Sequence, residues 1–337
     1  MLFRSRYQTQ RVYVTDAEPE APPTNFPAAR AEGITLRSGD SALARGVSMR
    51  LDERSGAIAS LVCDGHEFVD TNAPTALNDY FYLPGSDLKG LERNGPVRIS
   101  VKETGPLIAS LLVEGEAPGC HRLTREYRLH ALRNYVEVIN TVDKARVRAK
   151  EGVHFGFGFN VPDGVMRMDV PWGVVRPELD QIPGACRNWF TVQRWVDVSN
   201  ERCGITWMTP DAPLVQVGGI TANLIGSQSD PMAWIGHLEP SQTLYSWVMN
   251  NHWHTNYRSD QEGPTVFRFY LVPHQGGFDA AEVARVSQDL AQPALGYAAR
   301  GEVPLQPRVR VDYVSGANPV QVTTLKPSED GKAWIVR

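Results

Sequence analysis

The sequence lacks several features that would point directly to a compartment or a chemistry. No run of about 18 apolar residues occurs, which predicts that no segment spans a membrane. The four cysteines form no C-x-x-C pair, so neither a zinc knuckle nor a dithiol redox motif is indicated. Their spacing is typical of free, small, buried side chains. The four residues are Cys63, Cys120, Cys186 and Cys203.

Targeting and charge signals are equally sparse. Residues 1–16 lack the apolar core of a signal peptide, and no N-x-S/T glycosylation acceptor occurs, which favours a cytoplasmic location. The 337 residues include 34 basic and 38 acidic side chains, for a net charge of -4. Because there is no basic excess, we expect no nucleic-acid partner.

Motifs for nucleophilic and metal-dependent catalysis are missing. The sequence contains no G-x-S-x-G, no H-E-x-x-H and no P-loop. The run GFGFN lacks the G-x-G-x-x-G pattern, so we attribute Gly156 and Gly158 to the close approach of a neighbouring sheet. Asp197, in QRWVDVSN, is interpreted as structural, tying a turn between strands. A glycosidase pair is defined by a separation of about 5–9 Å in space, which a sequence does not give.

What the sequence does contain is a long series of alternating apolar and polar residues. Residues 47–70 predict two strands about a D-x-x-S-G turn. In the run 152–162, five apolar side chains share one face, namely Val153, Phe155, Phe157, Phe159 and Val161. Helices do not alternate with these strands, so the pattern predicts stacked antiparallel sheets rather than a doubly wound α/β fold.

One helix interrupts the strand pattern near the C-terminus. Asp279 and Glu282 form a D-x-x-E start signal, and Pro293 is a stop signal. Between them, Val283, Val286 and Leu290 have the spacing of one buried stripe.

The most conspicuous polar stretch is NNHWHTNYRSDQEGPTVFRFY, residues 250–270. If residues 250–258 form a strand, one of its faces carries Asn250, His252, His254, Asn256 and Arg258. We expect SDQEGP to be a turn and TVFRFYLVPH to return beside the first strand as a hairpin.

Three interpretations of this face stand open. The spacing of His252 and His254 suits a metal ion, but no third or fourth ligand has a matching position. Amides, imidazoles and a guanidinium also suit the hydroxyl groups of a sugar. The third interpretation is a half-exposed polar sheet or an interdomain contact.

A second candidate segment is LNDYFYLPG, residues 77–85. As a strand it places Asn78, Tyr80 and Tyr82 on one face, which either lines a pocket or packs under a loop.

Several long segments resemble one known family. SWVMNNHWHTNYRSDQEGPTVFRFYLVPH closely resembles the C-terminal region of glycoside hydrolase family 38, the α-mannosidases. RLTREYRLHALRNYVEVINTVDK, QRWVDVSNERCGITWMTPDAPLV and PVQVTTLKPSEDGKAWIVR are similar to further segments of that family, and the resemblance runs from about Ile34 to Arg337. RSGAIASL resembles the first hairpin of a galactose mutarotase-like supersandwich.

The resemblance implies an all-β fold. It is an antiparallel β-supersandwich of the galactose mutarotase-like type, with one C-terminal helix and the start of a further small β domain. The segments implied are the end of a preceding β segment at 1–16, a Pro- and Ala-rich linker at 17–33, the supersandwich at 34–298 and a truncated β domain at 305–337.

The same resemblance implies a function. Family 38 enzymes are retaining, and they carry the aspartate nucleophile and the zinc ligands on an N-terminal α/β domain that has no counterpart here. The chain is therefore expected to be the non-catalytic portion of such an enzyme, a piece cut at both ends or a degenerate stand-alone copy. It would hold no cofactor itself, with zinc expected in the catalytic domain.

The implied partners are an α-mannoside-type carbohydrate and the N-terminal catalytic domain of the same enzyme. The expected sugar-binding residues are His252, His254, Asn256 and Arg258, with Asn250 and Tyr80 as lesser candidates. The alternatives are a stand-alone carbohydrate-binding module, or an epimerase or lyase on the same fold. An epimerase would need a His and a Glu that converge in an open groove.

Overall fold

The computed structural model describes most of the chain, namely residues 28–39, 46–221, 235–252, 258–292 and 324–337. The described residues belong to two compact units. The larger unit extends to Phe278, and the smaller contains residues 279–292 and 324–337.

The larger unit is built almost entirely from strands. In chain order they are β1 (Ala29–Glu32), β2 (Thr35–Ser38), β3 (Val47–Leu51), β4 (Ile58–Cys63), β5 (His66–Glu67), β6 (Asp79–Pro84), β7 (Glu92–Arg93), β8 (Val97–Thr104), β9 (Ile108–Gly115), β10 (Cys120–His130), β11 (Val136–Lys144), β12 (Glu151–Gly158), β13 (Val165–Val170), β14 (Gly173–Val175), β15 (Phe190–Thr191), β16 (Trp195–Ser199), β17 (Cys203–Met208), β18 (Leu214–Val217), β19 (Thr243–Asn250) and β20 (Gly263–Gln275). A single 3-10 turn, Leu88–Gly90, lies between β6 and β7.

These strands form three sheets, and every pairing among the described strands is antiparallel. A five-stranded sheet has the order β1-β2-β3-β4-β5. A nine-stranded sheet has the order β14-β13-β16-β17-β20-β11-β10-β9-β8, and a six-stranded sheet has the order β15-β18-β19-β12-β6-β7.

The main core lies between the nine-stranded and six-stranded sheets. Phe155 and Phe157 of β12 contact Phe269 of β20 with ring centroids 6.0 and 5.3 Å apart, and Phe157 also contacts Trp207 of β17. Every residue of β12 is buried, because one face meets this core and the other is covered as well. The prediction of an all-β antiparallel sandwich is therefore confirmed.

A buried amide pair joins the two sheets. Asn78, next to β6, and Asn140, on β11, exchange hydrogen bonds of 2.9 and 2.8 Å between their side-chain amides, and both are fully buried. Asn78 also donates to the Tyr127 hydroxyl, which in turn donates to the Gly56 carbonyl. Satisfied in this way, the buried polar groups avoid the desolvation cost of unpaired ones.

Two local predictions in this unit match the structure. Strands β3 and β4 pair about a turn in which Asp52 accepts hydrogen bonds from the backbone of Arg54 and Ser55. The five apolar residues of the 152–162 run are all buried in one cluster. The proposed linker, in contrast, is too long, since Ala29–Glu32 form β1 and Ala29 is fully buried.

The hairpin predicted from β19 to the TVFRFYLVPH run is wrong. Strand β19 pairs with β12 and β18 in the six-stranded sheet, whereas β20 pairs with β11 and β17 in the nine-stranded sheet. The connection crosses from one sheet to the other, and it is longer than the two to five residues of an ordinary hairpin loop. Strand β19 ends at Asn250, so alternation along a strand does not extend to Asn251, His252 or Arg258.

The smaller unit contains the predicted helix. Helix α1 spans Ala280–Ala291, and the Asp279 carboxylate caps it by accepting from the backbone of Ala281 and Glu282. Val283 is buried as predicted, but Val286 and Leu290 are only half-buried, because the buried stripe turns towards Ser287 and Gln288.

The C-terminal residues of this unit form a hairpin of β21 (Leu325–Pro327) and β22 (Trp334–Val336). Residues 1–16 lie outside the described part of the chain. In the part that is described, no helix combines the length and the apolar character needed to cross a membrane.

Candidate functional site

The residues predicted for the site do not all come together. Asn250 is the last residue of β19 and His252 follows two residues later, whereas His254 and Asn256 lie outside the described residues. Arg258 donates to the carboxylates of Asp260 and Glu262. His252 contacts a cluster of aromatic rings outside the main core.

That cluster is a stack of rings on the six-stranded sheet. His154 of β12 stacks on Trp247 of β19, with ring centroids 5.5 Å apart and planes 9° apart. His252 and Trp189 contact the same indole edge-to-face, at 5.6 and 5.7 Å. We call these four residues the indole cluster. It lies on the face of β12 that is turned away from the main core, because Val153 and Phe155 occupy the core face.

Burial sets the protonation state of His154. The ring is fully buried, and this desolvation lowers the pKa of His154 to about 3, with the charge of His252 acting in the same direction. The Gln216 side chain opposes the shift. Neither ring nitrogen of His154 has a described hydrogen-bond partner at ordinary geometry. His154 is therefore a neutral, polar group held under the indole.

A glycine makes room for the stack. Gly152 lies opposite Asn250 in the β12–β19 pairing. A Cβ atom at this position would lie 3.0 Å from both His154 Cε1 and Trp247 Nε1. The two rings can approach the strand closely because this position carries no side chain.

Tyr80 belongs to a different environment. It lies opposite Phe155, on the core face of β6, and it is fully buried. Its hydroxyl donates to the Pro118 carbonyl at 2.7 Å. The described contacts of Tyr80 are therefore those of a core residue, and they do not include the indole cluster.

A wide cleft lies elsewhere in the described part of the chain, beyond the end of β12. This open cleft, of about 990 Å³, is lined by residues 159–166, which lead from β12 into β13, and by residues 176–179 and 237–243. It brings together Glu178 and His237, whose carboxylate oxygen and ring Nδ1 are 2.9 Å apart. This is the His and Glu convergence that the epimerase alternative requires.

The geometry of that pair favours a structural role. Glu178 also accepts from the Leu238 backbone at 2.8 Å and pairs with Arg187 at 2.7 Å. The hydrogen bond from His237 lowers the pKa of Glu178, and the same bond raises the pKa of His237. A carboxylate engaged by an imidazole and a guanidinium is a poor proton acceptor, so the pair ties two loops together.

Asp197 is a buried hub between strands rather than a turn residue. It lies on β16 and is fully buried. Its carboxylate accepts from Ser199 Oγ at 2.6 Å, Thr206 Oγ1 at 2.8 Å and His274 Nε2 at 2.9 Å. The structural role inferred from the sequence agrees with this network, although the network spans three strands.

The described residues do not fit a zinc ion. Within those ranges, no three His, Cys, Asp or Glu side chains are grouped in a way that could hold a metal. His254, the partner of His252 in the H-x-H motif, lies outside them. None of the four cysteines forms a disulfide bond.

Sequence reasoning missed His154, Trp189 and Trp247. Alternation along 152–162 does separate His154 from the apolar face, so that signal was present. It could not indicate that β19 would place Trp247 directly over the ring, because strand partners far apart in the sequence are fixed by the tertiary fold.

Comparison with known proteins supports the fold. No family model matches the chain, and no curated protein matches it by sequence. An α-mannosidase from Enterococcus faecalis V583 matches 91% of this chain with a TM-score of 0.61 and 13% identity. A protein in glycosyl hydrolase family 38 from Enterococcus faecalis matches 91% with a TM-score of 0.60 and 13% identity. The likeness shows the fold.

The match covers a minor part of each solved chain. This chain spans 37% of the α-mannosidase and 39% of the second protein. A putative aldose 1-epimerase from Escherichia coli K12 also matches, over 74% of this chain and 98% of its own length, with a TM-score of 0.40 and 13% identity.

Proposed function

We propose that this chain is the non-catalytic β-sandwich portion of an α-mannosidase-like retaining glycoside hydrolase. It would pack on a zinc-containing N-terminal catalytic domain and help to shape the sugar site of that domain. The observation that carries the proposal is the fold likeness to an α-mannosidase and to a family 38 protein, which extends over 91% of this chain but 37–39% of theirs.

The indole cluster supplies chemistry that suits this role. Aromatic rings are groups on which sugars stack, and His154 and His252 add polar nitrogen atoms. Because His154, Trp247 and His252 are buried, the cluster would support the sugar site from beneath rather than line its surface. Hydrolysis with retention needs a nucleophilic carboxylate and an acid carboxylate on either side of the scissile bond. We assign both carboxylates, and the zinc, to the catalytic domain rather than to this chain.

The first test is binding without catalysis. The purified chain is titrated with mannose and methyl α-mannoside while tryptophan fluorescence is followed, since Trp247 lies against His252. The test variant is His252→Ala, and the control is His121→Ala, which removes an exposed histidine from β10. We expect weak, saturable binding that is lost in the test variant and kept in the control.

The second test is hydrolysis. The chain alone is expected to leave p-nitrophenyl α-mannoside intact, with or without added zinc. Turnover by the chain would contradict the assignment of catalysis to another domain. Sequencing the gene upstream of the Met1 codon adds an independent check, because an in-frame α/β domain is expected there. Saturable binding together with an upstream stop codon would favour the stand-alone carbohydrate-binding module.

A further inference from the structure

Beside the indole cluster lies a group of arginines that the proposed function does not use. Arg146 and Arg148 lie in the segment between β11 and β12, and Arg258 precedes β20. Their side chains are 52, 71 and 67% exposed, so the guanidinium groups are open to solvent.

All three arginines converge on one carboxylate. Arg146 Nε and Arg148 Nε each lie 3.0 Å from Asp260 Oδ2, and Arg258 Nε lies 3.2 Å from Asp260 Oδ1. Asp260 itself is buried. Each of these bonds uses the Nε–H of the arginine, which is one of the five N–H groups of a guanidinium. The buried Asp260 carboxylate therefore fixes the orientation of all three guanidinium groups.

A second buried residue fixes the segment that carries two of the arginines. The Asn251 side-chain amide donates to the backbone carbonyls of Val147 and Ala149 at 2.8 and 3.0 Å, and Asn251 is buried. These carbonyls flank Arg148 in the chain. Asn251 directly precedes His252, so adjacent residues contact the arginine segment and the edge of the indole cluster.

Two carboxylates lie beside the three guanidinium groups in the described part of the chain. The neighbouring carboxylates are Asp260 and Glu262, and Arg258 NH2 reaches Glu262 Oε1 at 3.3 Å. Three guanidinium groups therefore share these two carboxylates, and all three arginine side chains stay at least half exposed. Neutralising one buried aspartate needs one arginine, so the arrangement exceeds what the fold requires.

We propose that Arg146, Arg148 and Arg258 bind the phosphate or sulfate ester group of a carbohydrate ligand. The proposal rests on the proposed function, in which this chain contributes to a sugar site. Guanidinium forks match tetrahedral oxyanions in geometry and charge, and an arginine held in place by a carboxylate loses little freedom on binding. The sugar ring of such a ligand would lie towards His252, and its ester group over the three arginines.

Calorimetric titrations at low salt test this site with four probes. They are mannose, mannose 6-phosphate, mannose 6-sulfate and inorganic phosphate. We expect both esters to bind at least about tenfold more tightly than mannose, because a hydrogen bond to a charged group contributes about 1.5–3 kcal/mol. Added salt is expected to reduce this advantage.

Two variants of the group should act in opposite directions. Arg146→Gln is expected to weaken the binding of both esters about tenfold, while Glu262→Gln is expected to strengthen it, because it removes the exposed carboxylate that repels an anion. The control is Arg122→Gln on β10, an exposed arginine that pairs with Glu114 in the nine-stranded sheet and should change nothing. Circular dichroism confirms that each variant is folded.

The outcomes separate this proposal from the proposed function. Equal affinity for mannose and its esters, or equal losses in Arg146→Gln and Arg122→Gln, would overturn the anion site. The esters and inorganic phosphate could bind in an Arg146-dependent manner while mannose does not bind. That result would support the anion site and contradict a role of His252 in sugar binding. If none of the four probes binds, both fall.

Discussion

At the scale of single residues, His154 is a titratable side chain that is held entirely away from water. It is fully buried, it stacks on Trp247, and its charged form is strongly disfavoured. A buried neutral imidazole makes no stabilising ion pair, and its low pKa makes the stability of the folded state decrease in acid.

The pH dependence of stability should reveal His154. Its pKa is about 3 in the folded protein, against 6.5 for a histidine in solution, so the unfolded state binds the proton first as the pH falls. Between pH 6.5 and 3, this difference in proton binding lowers the free energy of unfolding by up to about 1.4 kcal/mol per pH unit. In His154→Gln that cost is absent, so the free energy of unfolding should fall less between pH 7.5 and 5 than in the wild type. Urea unfolding at both pH values measures this, and parallel losses would contradict it.

Asp260 should respond to acid with the opposite sign. Hydrogen bonds from Arg146, Arg148 and Arg258, of which the Arg146 bond has the largest effect, lower the pKa of Asp260 to about 2. A depressed carboxyl pKa contributes stability that is present above about pH 4 and is lost as the pH falls through the folded value.

The variant Asp260→Asn should therefore be less stable than the wild type at pH 7, and the difference should close between about pH 4 and 2. Urea unfolding at a series of pH values measures the difference. A difference that stays constant down to pH 2 would show that the aspartate contributes through its shape and not through its charge.

At the scale of elements, the packing of β12 depends on glycine. The sequence correctly suggested that Gly156 and Gly158 allow a close approach, but the partner is the loop at 73–75 and not a second sheet. A Cβ atom on Gly158 would lie 2.5 Å from both Ala73 Cβ and the Thr75 carbonyl oxygen. A backbone carbonyl has no rotamer through which to move away.

Gly158→Ala is therefore expected to lower the free energy of unfolding by about 1–3 kcal/mol, the usual cost of overpacking a tight site. The matched control is Gly236→Ala, because a Cβ at Gly236 meets nothing within 4 Å and the backbone there is not left-handed. Chemical denaturation of both variants measures the effect. Similar values for the two would mean that the loop at 73–75 yields to the added methyl group.

At the scale of the larger unit, the two big sheets share one core and differ in their edges. Strand β12 is buried along its whole length and pairs on both sides, with β6 and β19. Strand β8 lies at the edge of the nine-stranded sheet, and none of its residues is buried. Local opening is therefore easier at β8 than at β12.

Hydrogen exchange followed by mass spectrometry should resolve this difference. Peptides from β12 are expected to exchange at least about tenfold more slowly than peptides from β8, which corresponds to about 1.4 kcal/mol in opening free energy. Peptides from β11 serve as a control, since β11 pairs on both sides with β10 and β20. Equal rates in β8 and β12 would contradict a protection gradient from centre to edge.

Local patterns in the sequence determined the fold class. Alternation predicted the strands, as at β12, and the D-x-x-E signal located the start of α1 at Asp279. These signals are sufficient because side-chain direction in a strand and capping at a helix end depend on nearest neighbours in the chain. The same patterns identified His252 and Arg258 as notable residues without identifying their partners.

The tertiary structure decided which distant residues meet. It placed β19 and β20 in different sheets, Trp247 over His154, and Arg146, Arg148 and Arg258 around Asp260. Nothing local fixes these contacts, because strand partners and ion pairs far apart in the sequence are chosen by burial of the whole core. The sequence by itself determined that the chain folds as stacked antiparallel sheets, and the packing of those sheets determined where its polar groups converge.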